Sequence, residues 1–227
     1  MDETAAAGLG TVMMPLSDTL SEEAQSLWDA ARALARTAPQ GGRTLPPLLF
    51  FTDPARTPRP WETAARLPAG AGVVFRHFGA ADRLETGRRL REATHRAGVR
   101  LLVGLDAELA EQIGADGVHL PERALSAAYG LSGRRPDWLL TGAAHSPEAV
   151  RAARDVHALV LSPVFPAGGA SSIKAPLGLE GFSDLAAMAP CPVYALGGIT
   201  VANASLLAAS GACGLAGVEA IQTAFAG

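Results

Sequence analysis

A few side chains in this sequence could move a proton or hold an anion. His145 stands in the run Ala144-His145-Ser146, just after an apolar stretch, and an imidazole titrating near neutrality can serve as acid and base. His119 ends a second apolar stretch, and Arg76-His77 end a third. Arg76 follows Val73-Val74-Phe75, where a guanidinium calls for an anion or carboxylate as partner. Gly197-Gly198 and the turn at Val218-Glu219, which follows a Gly-x-x-Gly strand, could cradle a phosphate, because glycine lets backbone N–H groups approach closely. Lys174 lies in the Gly/Ser-rich stretch "SPVFPAGGASSIKAPLG", which reads as a lid. Each feature also has a structural reading. The glycines could only turn the chain, each histidine could be a hydrogen-bonded core residue, and Pro-Val-Phe-Pro could be a rigid turn.

These residues share a position relative to the expected elements. Apolar runs at 48–52, 72–76, 100–104, 116–120, 138–143, 158–162, 193–196 and 213–218 alternate with segments of helical composition. Continuous apolar runs suit parallel strands buried on both faces. Eight such βα units predict a (β/α)8 TIM barrel of the α/β class, beginning at about residue 46. A doubly wound open sheet is the other arrangement, but no G-x-G-x-x-G follows the first strand. In a barrel the ends of the strands carry the site, and the loops after strands seven and eight often hold phosphate. An additional helix is expected over 21–37, capped by Ser21 with Glu22 and Glu23 in its first turn and a stripe of Ala24, Leu27, Trp28, Ala31 and Leu34. It would close the barrel bottom or meet a partner. Residues 1–16 read as a disordered tail, and 17–227 as one barrel domain.

Composition narrows the function. Of 227 residues 48% are hydrophobic, ample for one sizeable core. A net charge of −3 gives no general attraction for nucleic acid or acidic membranes. No run reaches the ~20 apolar residues of a membrane helix, and the acidic start fits neither a signal nor a transit peptide. The expectation is a cytoplasmic protein without nucleic-acid or membrane partners. The two cysteines, Cys191 and Cys213, fall in expected strands and read as buried thiols; no C-x-x-C pair suggests zinc.

Taken in order, "IGADGVHL", "GAAHSPEAV", "LSPVFP" and "PVYALGGITVANASLLAASGACGLAGVEAI" resemble the thiamine phosphate synthase family and its TenI-like relatives, which include thiazole tautomerase. The resemblance runs from about Leu48 to Phe225 and implies a phosphorylated thiazole or thiamine phosphate as ligand. A synthase couples a thiazole phosphate to hydroxymethylpyrimidine diphosphate with Mg²⁺. A tautomerase shifts a proton on a thiazole carboxylate phosphate without metal. By resemblance, Gly197, Gly198, Val218 and Glu219 form the phosphate cradle, Arg76 matches a diphosphate-binding arginine, and His145 matches the acid/base of the tautomerase. The "HLP" at 119–121 resembles the TenI branch.

The sequence also departs from the synthase pattern. The Gln-x-Arg-Glu-Lys of strand two is Val74-Phe75-Arg76-His77-Phe78. The Asn-Asp pair after strand three is Gly104-Leu105, with Asp106 one step late. The Gly-Gln-x-Asp after strand four is Pro121-Glu122-Arg123-Ala124, and the last-turn serine is Glu219. No metal ligands are therefore assigned, and Mg²⁺ is expected only with synthase activity. The expectation is a transferase or isomerase of thiamine biosynthesis. The alternatives are a silent phosphate-binding or regulatory relative and another sugar-phosphate barrel isomerase. A homo-oligomer is compatible with the sequence.

Overall fold

Short apolar runs, half of them entered from a glycine, proline or alanine, become eight parallel strands: β1 (Leu48–Phe51), β2 (Gly72–Phe75), β3 (Arg100–Gly104), β4 (Gly117–Leu120), β5 (Leu139–Ala144), β6 (Ala158–Leu161), β7 (Val193–Leu196) and β8 (Ala212–Gly217). The computed structural model describes residues 20–38, 43–168 and 173–226. The expected tail at 1–16 and positions 169–172 of the lid loop lie outside the described residues. Each strand pairs with the next in sequence, and β8 pairs with β1 through Leu48↔Leu215 to Phe50↔Gly217, closing the barrel.

Strand alternation divides the core. Leu49, Phe51, Val74, Leu102, Leu139, Val160 and Tyr194 fill the barrel, while Leu48, Phe50, Val73, Phe75 and Leu101 pack outward under the helices. Each fully buried side chain of this size contributes ~1.5–3 kcal/mol. Tyr194 buries its ring here because its hydroxyl donates to Pro46 O at 2.7 Å.

The outer layer is α1 (Glu22–Thr37), α2 (Pro60–Ala64), α3 (Arg83–Ala97), α4 (Ala107–Ile113), α5 (Ala128–Arg134), α6 (Pro147–Ala152), α7 (Gly178–Met188) and α8 (Glu219–Phe225). The segment after β7, expected to be helical, forms only a 3₁₀ turn at Ala204–Leu207. That shortfall explains α1. Its buried stripe of Ala24, Leu27, Ala31 and Leu34 packs on β8, the 3₁₀ turn and α8. The additional helix therefore covers the barrel wall and does not close the bottom. Ser21 caps it as expected, accepting from Ala24 N at 3.1 Å, and its hydroxyl also donates to Ala224 O at 3.0 Å.

Two further expectations are corrected. Cys191 precedes β7 and is half-buried; only Cys213 lies in a strand. Arg76 stands one residue beyond β2 and not inside it.

Candidate functional site

The inward positions at the mouth of the barrel form a stack. Arg76 N–H donates to Thr52 Oγ1 at 2.9 Å, and its Nε donates to Thr52 O at 3.0 Å, which anchors the arginine to the end of β1. Its guanidinium carbon lies 5.0 Å from the centre of the Phe51 ring. On its other side Phe51 meets the His119 ring edge-on at 5.0 Å, and His119 Nδ1 pairs with Thr141 Oγ1 at 2.9 Å. Burial, followed by the positive charge of Arg76, pushes His119 down from 6.5 to about 3. His119 is therefore a neutral, hydrogen-bonded support under the site, and it does not reach the cleft described next. Burial lowers Arg76 to about 10 against the opposing pull of Asp53, so it remains a cation at neutral pH. No ion pair joins it to a carboxylate among the described residues.

Arg76 faces a cleft of ≈ 610 Å³ that also takes in Arg56, Gly197, Gly198, Thr200, Val218, Glu219 and Glu23. Four of the expected cradle residues thus come together with Arg76. The two glycines have φ of +98° and +67°, a region that side chains disfavour. A Cβ on Gly197 would sit 2.7 Å from Pro163 Cβ, and one on Gly198 would sit 2.4 Å from Pro166 O. Phe165 N–H also donates to Gly197 O at 3.0 Å. The missing Cβ atoms thus admit the Pro-Val-Phe-Pro turn, and the glycines line the cleft with their outer side.

Val218 precedes α8, whose seven residues give it a weak dipole, so an anion in the cleft would be drawn mainly by the cationic side chains. Arg56 donates from Nη2 to Asp53 at 2.9 Å, and its Nη1 lies 3.7 Å from Glu219. Glu219, 61% exposed, therefore does face the cradle.

His145 lies outside this cleft, exposed at the end of β5. Its backbone N–H donates to Glu122 Oε2 at 2.5 Å, and its Nδ1 lies 3.1 Å from Ser162 O. A carbonyl can only accept, so this contact calls for a proton on Nδ1. Lys174 is exposed and is not among the residues that line the cleft. His77 is buried against Phe75, ring centres 4.8 Å apart, and its Nε2 has no partner among the described residues.

The donors do not fit a Mg²⁺ ion. Asp106 caps α4 through Leu109 N at 2.9 Å and binds Arg83 at 2.7 Å. Glu122 is held by His145 N–H. Above Gly104 lies the Phe78 ring, 2.9 Å from where a Cβ would be. No group of three His, Cys, Asp or Glu comes together among the described residues. A hard dication needs oxygen ligands free to converge on it.

The thiamine monophosphate synthase model, which spans the synthases and TenI proteins, matches residues 52–221. The chain belongs to this family. A thiamine-phosphate synthase of Chloroflexus aurantiacus is 34% identical over 167 residues, 70% of this chain and 76% of that protein. A bifunctional thiamine biosynthesis protein of Symbiobacterium thermophilum is 32% identical over 206 residues, 85% of this chain and 43% of that longer protein. The solved thiamine phosphate pyrophosphorylase of Pyrococcus furiosus superposes with a TM-score of 0.61 at 23% identity, over 78% of this chain and 91% of that one, which shows the shared barrel. No helix among the described residues is long and apolar enough to cross a membrane.

Within this family frame, sequence reasoning missed Arg56 and Glu23. The rule that flagged Arg76, a basic residue beyond a strand end, applies equally to Arg56 in the loop after β1. Glu23 carries no such signal. It reaches the cleft because α1 packs on β8, outside the stretch that matches the family.

Proposed function

We propose that the cleft binds the phosphate of a thiazole phosphate or of thiamine phosphate, with Arg76 as its principal cation and Arg56 beside it. The observation that carries this reading is the half-buried Arg76 guanidinium, which borders the cleft without a carboxylate partner among the described residues. An unpaired cation in a partly desolvated cleft attracts an anion more strongly than an exposed one does. The family supports a ligand from thiamine biosynthesis.

For chemistry, the geometry favours proton transfer over coupling. With Nδ1 held toward Ser162 O, His145 would use Nε2, if the ring of the ligand extends from the cleft toward the end of β5, to take a proton from one atom of a thiazole and return it to another. This is the tautomerase-like isomerisation of the family. Coupling to a pyrimidine diphosphate needs charge stabilisation on the leaving diphosphate, and the carboxylates that would hold Mg²⁺ are engaged elsewhere. A binder without catalysis is the second reading, favoured by the Phe78 ring that covers Gly104. Calorimetric titration with thiazole phosphate and thiamine phosphate tests the binding step. Heat from either that is lost in Arg76→Met supports it, and no heat from both overturns it. Turnover of thiazole carboxylate phosphate to its tautomer separates the isomerase from the silent binder.

A further inference from the structure

The charged residues around the ≈ 610 Å³ cleft are two arginines, Arg56 and Arg76, and two glutamates, Glu23 and Glu219. Their formal charges cancel, an unusual lining for a site meant to attract a bare phosphate dianion. The arginines engage the glutamates only in part. Arg56 has its close partner in Asp53 at 2.9 Å and a longer ion pair with Glu219 at 3.7 Å, which leaves the 61% exposed Glu219 carboxylate open to a ligand. Glu23 is exposed and forms no ion pair among the described residues. Arg56 comes from the loop after β1 and Arg76 from just beyond β2, and the glutamates come from the first turns of α1 and α8. Cations and anions therefore enter the cleft from different elements.

We infer that Glu219 and Glu23 set the ligand class of the cleft: a phosphate ester that carries its own positive charge, an azolium or ammonium, in preference to a phosphate on an uncharged body. The inference rests on the reading that this cleft takes a phosphate, and it ranks a thiazole carboxylate phosphate, which adds a second anion, as the weakest binder of the three ligands considered. The phosphate meets Arg76 and Arg56, and the ligand's cation meets the two carboxylates. A ligand without that cation brings its phosphate near two carboxylates with no compensation. Each like-charge pair at this range changes affinity by ~5- to 10-fold per unit charge in a wet cleft.

The probes are thiamine phosphate, whose thiazolium is permanently positive, and thiazole phosphate, whose ring is neutral. Affinities are measured by calorimetry at low salt on the full chain and on Glu23→Gln, Glu219→Gln, their combination and Arg76→Met. Both glutamates lie on the surface, and unchanged melting confirms that the variants fold. The expected result is ~10-fold tighter binding of thiamine phosphate to the native chain. In the double variant the ratio narrows severalfold because thiazole phosphate gains, and high salt narrows it in the native chain. Any contribution of the pyrimidine ring to the ratio persists in the double variant, so the narrowing itself reports the carboxylates. A ratio unchanged in the double variant overturns the inference, as do equal affinities in the native chain. If both probes bind through Arg76 and the ratio ignores the glutamates, phosphate binding stands and charge selection falls. If neither probe binds the native chain or the double variant, both fall.

Discussion

Arg76 lies across the Phe51 ring, its guanidinium carbon 5.0 Å from the ring centre, while its Nε donates to Thr52 O. Its Nε thus bonds the backbone, while the residue as a whole lines the cleft. Arg76→Met retains the apolar stem and removes the cation. Affinity for thiamine phosphate should fall ~10- to 100-fold, the worth of a charge-assisted hydrogen bond or two. Calorimetry on the variant reads this directly, and unchanged affinity would place the anion elsewhere.

Gly198 offers a test of packing. A Cβ there would lie 2.4 Å from Pro166 O, on a backbone with φ of +67°. Gly198→Ala should cost ~1–3 kcal/mol, from strain and the displaced turn. Gly130, on α5, has nothing within 4 Å of the place a methyl group would take and an ordinary φ, so Gly130→Ala should stabilise by up to ~1 kcal/mol. Urea denaturation of both variants checks the contrast.

His119 should make stability depend on pH. Its folded pKa is lowered from 6.5 to about 3, so the unfolded chain binds the proton more tightly. This contribution to stability is present above pH 6.5 and is lost as pH falls from 6.5 toward 3, at up to ~1.4 kcal/mol per pH unit. His77 and His157 are also lowered, chiefly by burial, and act in the same direction. His119→Gln should flatten the acid limb of a stability–pH profile measured by urea melts.

His145→Gln should leave affinity for thiazole phosphate nearly unchanged, since His145 lies outside the cleft. Turnover of thiazole carboxylate phosphate should drop by ~100-fold or more, the usual worth of a general acid/base. Retained turnover in the variant would remove His145 from the chemistry.

Mn²⁺ should show no tight site in the ligand-free protein by paramagnetic resonance. Asp106 already serves Arg83 and the cap of α4, and Glu122 serves His145 N–H. A stoichiometric bound-Mn²⁺ signal would reopen metal-assisted coupling.

The barrel was readable because parallel strands are buried on both faces and so appear as continuous apolar runs. All eight strands fall within one residue of the expected spans at each end, and the Ser21 cap is where its side chain and the following glutamates suggested. Arg76 and the cradle glycines were legible from position alone, because strand ends share one face of a barrel. The reason for the glycines was not. Their crowding partners, Pro163 and Pro166, lie over thirty residues earlier in the chain, and no local pattern records that approach. The segment after β7 has helical composition yet forms only a 3₁₀ turn, since propensity is a weak guide once α1 occupies the wall. The direction of Glu219 and the arrival of Glu23 likewise depend on tertiary packing.

The first turn of α1 joins two otherwise separate matters. Ser21 fastens it to Ala224, and Glu23 in the same turn borders the cleft. Fraying of that turn and the charge balance of the cleft are then one equilibrium. A ligand whose cation engages Glu23 would slow amide exchange along the start of α1, and loosening α1 would shift the cleft toward net positive charge and toward simpler phosphates. A helix outside the stretch that matches the family would in this way act as an adjustable counter-charge for the barrel mouth.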